Sequence, residues 1–216
     1  MDLLMLSTFV VAVFLLSVAP GPDMLFIVAN GTAGGRAAGL AAALGMSTGL
    51  LLHTMAAAAG LSAALAAAPQ ALTLVRLAGA LLLVYLAVSA WRASSRPAAA
   101  PSGRVAVGGS RRPALRKVYA MATLTNLSNP KIVLFYLAFL PQFVSDGRSA
   151  WAIPLQILAL GAVFIVVGLA VDASIGLAAG TFADKVLHRP RFRQRLERAS
   201  AIIFGGLAAR LVLDTR

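Results

Sequence analysis

Residues 3–29 read LLMLSTFVVAVFLLSVAPGPDMLFIVA, and Asp23 is the only charged residue in this run. A helix that crosses a bilayer needs about 20 predominantly apolar residues. The run continues beyond Ala19-Pro20 and no basic residue precedes it, so it lacks the pattern of a cleaved signal peptide. We therefore expect a retained first membrane-spanning helix.

Five further apolar segments follow the first, at residues 37–63, 72–90, 118–140, 151–175 and 199–213. Of the 216 residues, 60% are hydrophobic and 12% are charged, whereas soluble domains average about 45–50% and about 25%. A chain of this size cannot bury such an apolar excess, so lipid must cover it. The sequence predicts one all-α integral membrane domain over residues 1–216 with six transmembrane helices. Because the last segment is short, five spans is the alternative.

The positive charge of the chain is concentrated between apolar segments. The net charge is +12, and most Lys and Arg residues lie in the loops at 92–117 and 185–198. Basic loops beside membrane helices lie on the cytoplasmic side, which puts both termini outside, and they attract anionic lipids. This distribution argues against nucleic-acid binding. The chain has no cysteine, which excludes disulfides and thiolate metal sites.

Proline interrupts the first and fourth spans at matching positions. The first span carries APGPD at residues 19–23, and the fourth carries LSNPK at residues 127–131. A weaker match relates GLLLH at residues 49–53 to GLAVD at residues 168–172. The two halves of the chain therefore carry related patterns.

These matches predict two inverted three-helix repeats, about 1–91 and about 118–216, joined by the basic loop at about 92–117. Helices 1 and 4 are expected to be broken at their prolines. Secondary transporters commonly use this plan, and their substrate sites lie at such broken helices. The pattern favours a transporter over an enzyme.

The proline breaks also free main-chain carbonyls. Pro20 and Pro22 have no amide hydrogen and leave the carbonyls of Leu16 and Val18 without helical donors, and Pro130 has the same effect in the fourth span. Freed carbonyls in a bilayer need protein, water or a ligand. We therefore expect a substrate-binding and gating site at the two breaks, formed by Pro20, Gly21, Pro22, Asp23, Asn126, Asn129, Pro130 and Lys131.

Among the ionisable side chains within the predicted spans, we single out Asp23, His53, Lys131 and Asp172. Each is costly if left unpaired in hydrocarbon, so we expect them to face a polar interior. Lys131 requires an anion, which Asp23, Asp172 or a substrate carboxylate could supply. A static Lys–Asp pair that only fixes helix packing is the alternative. Imidazole titrates near neutral pH, and His53, Asp172 and Asp23 are the proton-coupling candidates.

Two enzyme-like patterns in the second span are set aside. GMSTG at residues 45–49 matches a nucleophile elbow, but that motif needs a strand-to-helix turn. In an apolar helix, Gly45 and Gly49 form a small-residue face suited to internal packing or to dimerisation. Ser47 and His53 lie roughly 9 Å apart along one helix axis, so a hydrolase pair is not expected. No metal-ligand spacing or phosphate loop is present, so no metal site, cofactor or ATP-driven step is predicted.

The APGPD and NLSNPK motifs resemble those of the LysE/RhtB family of lysine and homoserine/threonine exporters, and the resemblance extends over essentially the whole chain. It implies a homodimeric exporter of amino acids or close derivatives in the bacterial inner membrane, working by proton antiport with alternating access. In this scheme Lys131 binds the substrate carboxylate, Asp23 binds the amine, and Asp172 or His53 carries the proton. Efflux of metal or other small cations on the same fold, and a non-transport membrane scaffold, are the alternatives.

Overall fold

The structure is a computed structural model that describes residues 3–67, 114–145 and 150–179, and individual helical positions within 81–92 and 194–209. Five α-helices run through the continuous stretches: α1 (Leu3–Val18), α2 (Pro22–Ala67), α3 (Leu115–Leu127), α4 (Pro130–Leu134) and α5 (Ile153–Ala178). A π-helical turn (Phe135–Phe139) and a 3₁₀ turn (Leu140–Phe143) extend α4. The described residues contain no strand, as an all-α fold requires.

Two of the described helices are long and apolar enough to cross a membrane: Pro22–Gly60 and Ile153–Ala178. Large apolar side chains on the helices face outward, and Val11, Leu25 and Val166 are each more than half exposed, at 57%, 59% and 67%. The predicted spans at 72–90 and 199–213 lie largely outside the described residues. The basic loops at 92–117 and 185–198 do so as well, so the six-span count, the inverted repeat and the topology stay predictions.

Both helix breaks expected at proline are present. α1 ends at Val18 and α2 begins at Pro22, while α3 ends at Leu127 and α4 begins at Pro130. Proline lacks an amide hydrogen and has a fixed φ, so it ends one helix and is well placed at the first position of the next. Asn129 caps α4, because its Oδ1 accepts a hydrogen bond of 3.0 Å from the main-chain N of Lys131.

Between the first two apolar segments, at residues 30–36, helical geometry continues up to Gly35, where a kink joins the two helical arms of α2. Asn30 Nδ2 donates to Phe26 O at 2.9 Å, and Thr32 Oγ1 donates to Val28 O at 2.9 Å. These polar side chains are satisfied by their own helix, so they do not end it. Only Gly35 departs from helical geometry, with a φ of 75° that glycine adopts without a Cβ clash.

α2 crosses both α3 and α5 at glycines, where the backbones come close. A Cβ on Gly39 would overlap the main chain of Gly176, and a Cβ on Gly45 would overlap the carbonyl oxygen of Tyr119. A Cβ on Gly49 would lie 2.5 Å from Asn126 Oδ1. The face formed by Gly45 and Gly49 therefore serves internal packing against α3. These crossings bring the second half of α2 beside the break between α3 and α4.

Candidate functional site

Lys131 joins the two helix breaks. Its ammonium nitrogen donates to Leu16 O at 3.0 Å and to Ala19 O at 3.1 Å, both at the end of α1. Leu16 O is one of the carbonyls that Pro20 leaves without a helical donor, so the lysine replaces the missing amide. Gly21 leaves room for this contact, because a Cβ there would lie 3.2 Å from Lys131 Nζ.

The carboxylates expected as partners of Lys131, those of Asp23 and Asp172, interact with it electrostatically. The hydrogen bonds of its ammonium group go to main-chain oxygens instead. Asp23 lies in the first turn of α2, where the positive end of the helix dipole favours a carboxylate. Asp172 is buried on α5. The structure thus brings the predicted charges together around one ammonium group.

Asp23 and Asn126 are held together across the junction of the breaks. Asn126 Nδ2 donates to Asp23 Oδ2 at 2.8 Å, and Asn126 is 1% exposed in the last turn of α3. His53 joins this group, because it hydrogen-bonds to the main chain of Asn126. One asparagine therefore contacts both a predicted amine-binding residue and a proton-coupling candidate.

Four buried side-chain atoms in the described part of the chain have no hydrogen-bond partner: Asp23 Oδ1, His53 Nε2, Asn126 Oδ1 and Asn129 Nδ2. Buried polar atoms in folded proteins are nearly always paired, so each exception needs an explanation. All four belong to residues predicted for the site. Two are acceptors, one is a donor, and the imidazole nitrogen can be either. Together they offer unused hydrogen bonds to a small molecule with both acidic and basic groups.

An aromatic wall borders the polar cluster at His53. The His53 and Tyr136 rings stack with centroids 5.4 Å apart, and Tyr136 stacks on Phe164 with centroids 5.8 Å apart. The Tyr136 hydroxyl donates to Leu50 O at 3.1 Å and lies 2.8 Å from Thr54 Oγ1. Hydrogen bonds to two neighbouring α2 groups fix this ring beside the site.

A family model described as LysE type translocator matches residues 14–215. The chain belongs to this family. The resemblance carried by the two proline motifs is thereby confirmed. The described residues of this LysE-type translocator contain no cluster of three or more His, Cys, Asp or Glu side chains that could hold a metal ion.

Several curated bacterial membrane proteins are similar to this LysE-type chain. An uncharacterized membrane protein of Vibrio cholerae is 29% identical over 74% of each chain. An uncharacterized membrane protein of Pseudomonas aeruginosa is 31% identical over 71% of this chain and 70% of the relative. A leucine efflux protein of Enterobacter sp. strain 638 is 28% identical over 94% of this chain and 93% of the relative. No solved structure matches the translocator significantly.

Sequence reasoning about this translocator did not identify Tyr136 and Thr54. Tyr136 is a polar aromatic residue in the apolar run that follows Lys131, and Thr54 directly follows His53. Their neighbours in the sequence could have drawn attention to them. Their contact with each other joins residues 82 positions apart, which only the tertiary structure reveals.

Proposed function

We propose that this translocator exports amino acids from the bacterial cytoplasm, with neutral apolar amino acids such as leucine as the substrate class. The observation that carries the proposal is the set of four unpartnered buried atoms where the helix breaks meet. The relative named for leucine efflux, which aligns along 94% of this chain, supports the substrate class.

The polar cluster is complementary to an amino-acid zwitterion. A substrate ammonium has three donors and needs acceptors, which Asp23 Oδ1 and Asn126 Oδ1 offer. A substrate carboxylate needs donors, which Asn129 Nδ2 offers together with the Lys131 N–H that remains after its two main-chain bonds. Charge-assisted hydrogen bonds of this kind are about twice as strong as neutral ones. In this arrangement Lys131 binds the substrate carboxylate, as the resemblance implies, and it also caps the end of α1.

The substrate side chain then lies against the aromatic wall of His53, Tyr136 and Phe164. The wall begins at the imidazole ring and continues through two stacked rings. Apolar surface next to a few well-placed polar groups is typical of small-molecule sites. This combination supports selection of an apolar side chain.

Transport is proposed to follow alternating access, with the breaks before Pro22 and Pro130 as the moving joints of two inverted repeats, about 1–91 and about 118–216. Broken helices at corresponding positions fit such a cycle. Asp172 or His53 carries the proton exchanged for substrate. In this proposal the protein is a homodimer in the inner membrane, with both termini outside. The basic loops at 92–117 and 185–198 then face the cytoplasm and its anionic lipids.

The test is counterflow in proteoliposomes preloaded with a panel of amino acids, with and without an imposed pH gradient. We expect exchange of leucine-like substrates that the gradient enhances. Asp23→Asn keeps the shape of the side chain but removes its charge. Exchange should therefore fall at least about tenfold, which corresponds to a loss of about 1.4 kcal/mol in binding free energy.

Ser47→Ala is the matched control for Asp23→Asn. Ser47 is buried in α2 and donates only to Ala43 O of the same helix, at 3.1 Å, so its loss should leave exchange unchanged. Normal exchange by the Asp23→Asn variant would remove Asp23 from the site. Absence of exchange for every amino acid, in protein shown to be folded, would favour cation efflux instead.

A further inference from the structure

The end of α1 forms a cation site in its own right. Leu16 O and Ala19 O point at one position, and the ammonium group of Lys131 occupies it. Leu16 O is available because Pro20 cannot donate to it. The carbonyl oxygens at the C-terminal end of a helix also carry the negative end of its dipole. Unwound carbonyls and half-helix ends are the groups that bind cations in broken transporter helices.

The charges around this position favour a cation from more than one side. α2 contributes Asp23, α5 contributes Asp172, and α1 contributes no titratable side chain within Leu3–Val18. Both carboxylates interact with the Lys131 ammonium electrostatically. Without that ammonium, two carboxylates and two carbonyls would remain with no positive charge, which is costly in a medium of low dielectric constant.

The site has room for a small ligand in place of the lysine chain. Gly21 borders the ammonium, and a Cβ at this residue would lie 3.2 Å from Nζ and 3.7 Å from Cε of Lys131. Truncation of Lys131 to alanine removes three carbons and the nitrogen, the atoms of n-propylammonium. The polypeptide that frames the position would be unchanged.

We propose that the end of α1 is a binding site for a primary ammonium group, formed by Leu16 O and Ala19 O in the electrostatic field of Asp23 and Asp172, and that the side chain of Lys131 occupies it. Through these two hydrogen bonds, Lys131 connects the end of α1 to the start of α4. Opening of the site at the two breaks requires the ammonium group to leave the carbonyls. This inference stands apart from amino-acid export, because it concerns the stability of the resting protein.

Chemical rescue of Lys131→Ala tests the proposal. The variant is purified in detergent and its thermal unfolding is followed by circular dichroism, with methyl-, ethyl- or n-propylammonium chloride added. A ligand that binds only the folded state raises the melting temperature. We expect the variant to melt below the wild type and n-propylammonium to raise its melting temperature by several degrees. 1-Propanol, which has similar size but no charge, should have no such effect.

Two further proteins complete the design. The wild type and Lys131→Met both fill the position with a side chain, so alkylammonium should not stabilise either of them. Equal stabilisation of Lys131→Met, or no stabilisation of folded Lys131→Ala, would overturn the proposal. If Lys131→Ala cannot be purified alone, it is extracted with n-propylammonium or with 1-propanol. Recovery with the amine only supports the site, and recovery with neither overturns it.

Discussion

Asn126 Nδ2 donates a 2.8 Å hydrogen bond to Asp23 Oδ2, across a separation of 103 residues in the chain. The bond joins the last turn of α3 to the first turn of α2. It uses the amide nitrogen of Asn126 and one carboxylate oxygen of Asp23, while Asp23 Oδ1 and Asn126 Oδ1 stay without partners. The contact therefore fixes the orientation of the two side chains that carry these unpaired acceptors. This arrangement is the basis of the first prediction.

Asn126→Leu should lower both stability and export. The substitution keeps most of the volume but removes the donor to Asp23, which leaves a half-buried carboxylate without this hydrogen bond. Loss of a hydrogen bond to a charged group costs about 1.5–3 kcal/mol. Thermal unfolding and counterflow measure the two effects. Thr125→Val is the control, because Thr125 Oγ1 donates only to Met121 O of its own helix. Full export by Asn126→Leu would show that this contact does not position the site.

Gly49→Ala should displace Asn126 and reduce export. A Cβ at Gly49 would lie 2.5 Å from Asn126 Oδ1 and 2.7 Å from Asn126 Cβ, so α2 and α3 must separate or the side chain must move. Gly60→Ala on the same helix is the matched control. A Cβ at Gly60 meets nothing within 4 Å, and Gly→Ala in a helix is worth up to about 1 kcal/mol of stability. The two variants should therefore shift the melting temperature in opposite directions, and a shift in the same direction would contradict the packing account.

Tyr136 should act on selectivity through its ring and on stability through its hydroxyl. Tyr136→Phe keeps the stack on His53 and Phe164 but loses the hydrogen bond to Leu50 O. We expect a loss of about 1 kcal/mol in stability with the substrate preference unchanged. Tyr136→Ala removes the ring as well and should weaken the preference for apolar amino acids in competition counterflow. An unchanged preference in Tyr136→Ala would exclude the aromatic wall as the side-chain pocket.

Asp172 should be the more direct proton-coupling residue. It interacts electrostatically with both Lys131 and Asp23, whereas His53 interacts in this way with Asp23. A change in the charge of Asp172 therefore reaches both proposed substrate-binding charges. We expect Asp172→Asn to exchange substrate without enhancement by a pH gradient, and His53→Gln to keep the enhancement with weaker exchange. The reverse result would assign the proton to His53.

The prediction of the helix breaks needed only local sequence. A proline has no amide hydrogen wherever it stands in a helix, so Pro22 and Pro130 interrupt their spans in any fold. The cost of ionisable groups in hydrocarbon likewise singled out Asp23, Lys131, His53 and Asp172. The gap between the first two apolar segments, at residues 30–36, contains the break at Gly35, but the polar side chains of Asn30 and Thr32 bond to their own helix and do not mark its end.

By itself, the sequence determined that this chain is a membrane protein with two broken helices and embedded charges, because these features follow from composition and from proline chemistry. Its two proline motifs also carried the resemblance to the LysE/RhtB family. The tertiary structure decided what those charges contact. Lys131 was expected to meet a carboxylate, but it binds Leu16 O and Ala19 O, which lie 115 and 112 residues away. Close approach of α2 to α3 at Gly45 and Gly49, and of Tyr136 to Thr54, likewise depends on how distant helices cross. Hydrogen bonds across such distances arise from packing geometry, and no local pattern in the chain specifies them.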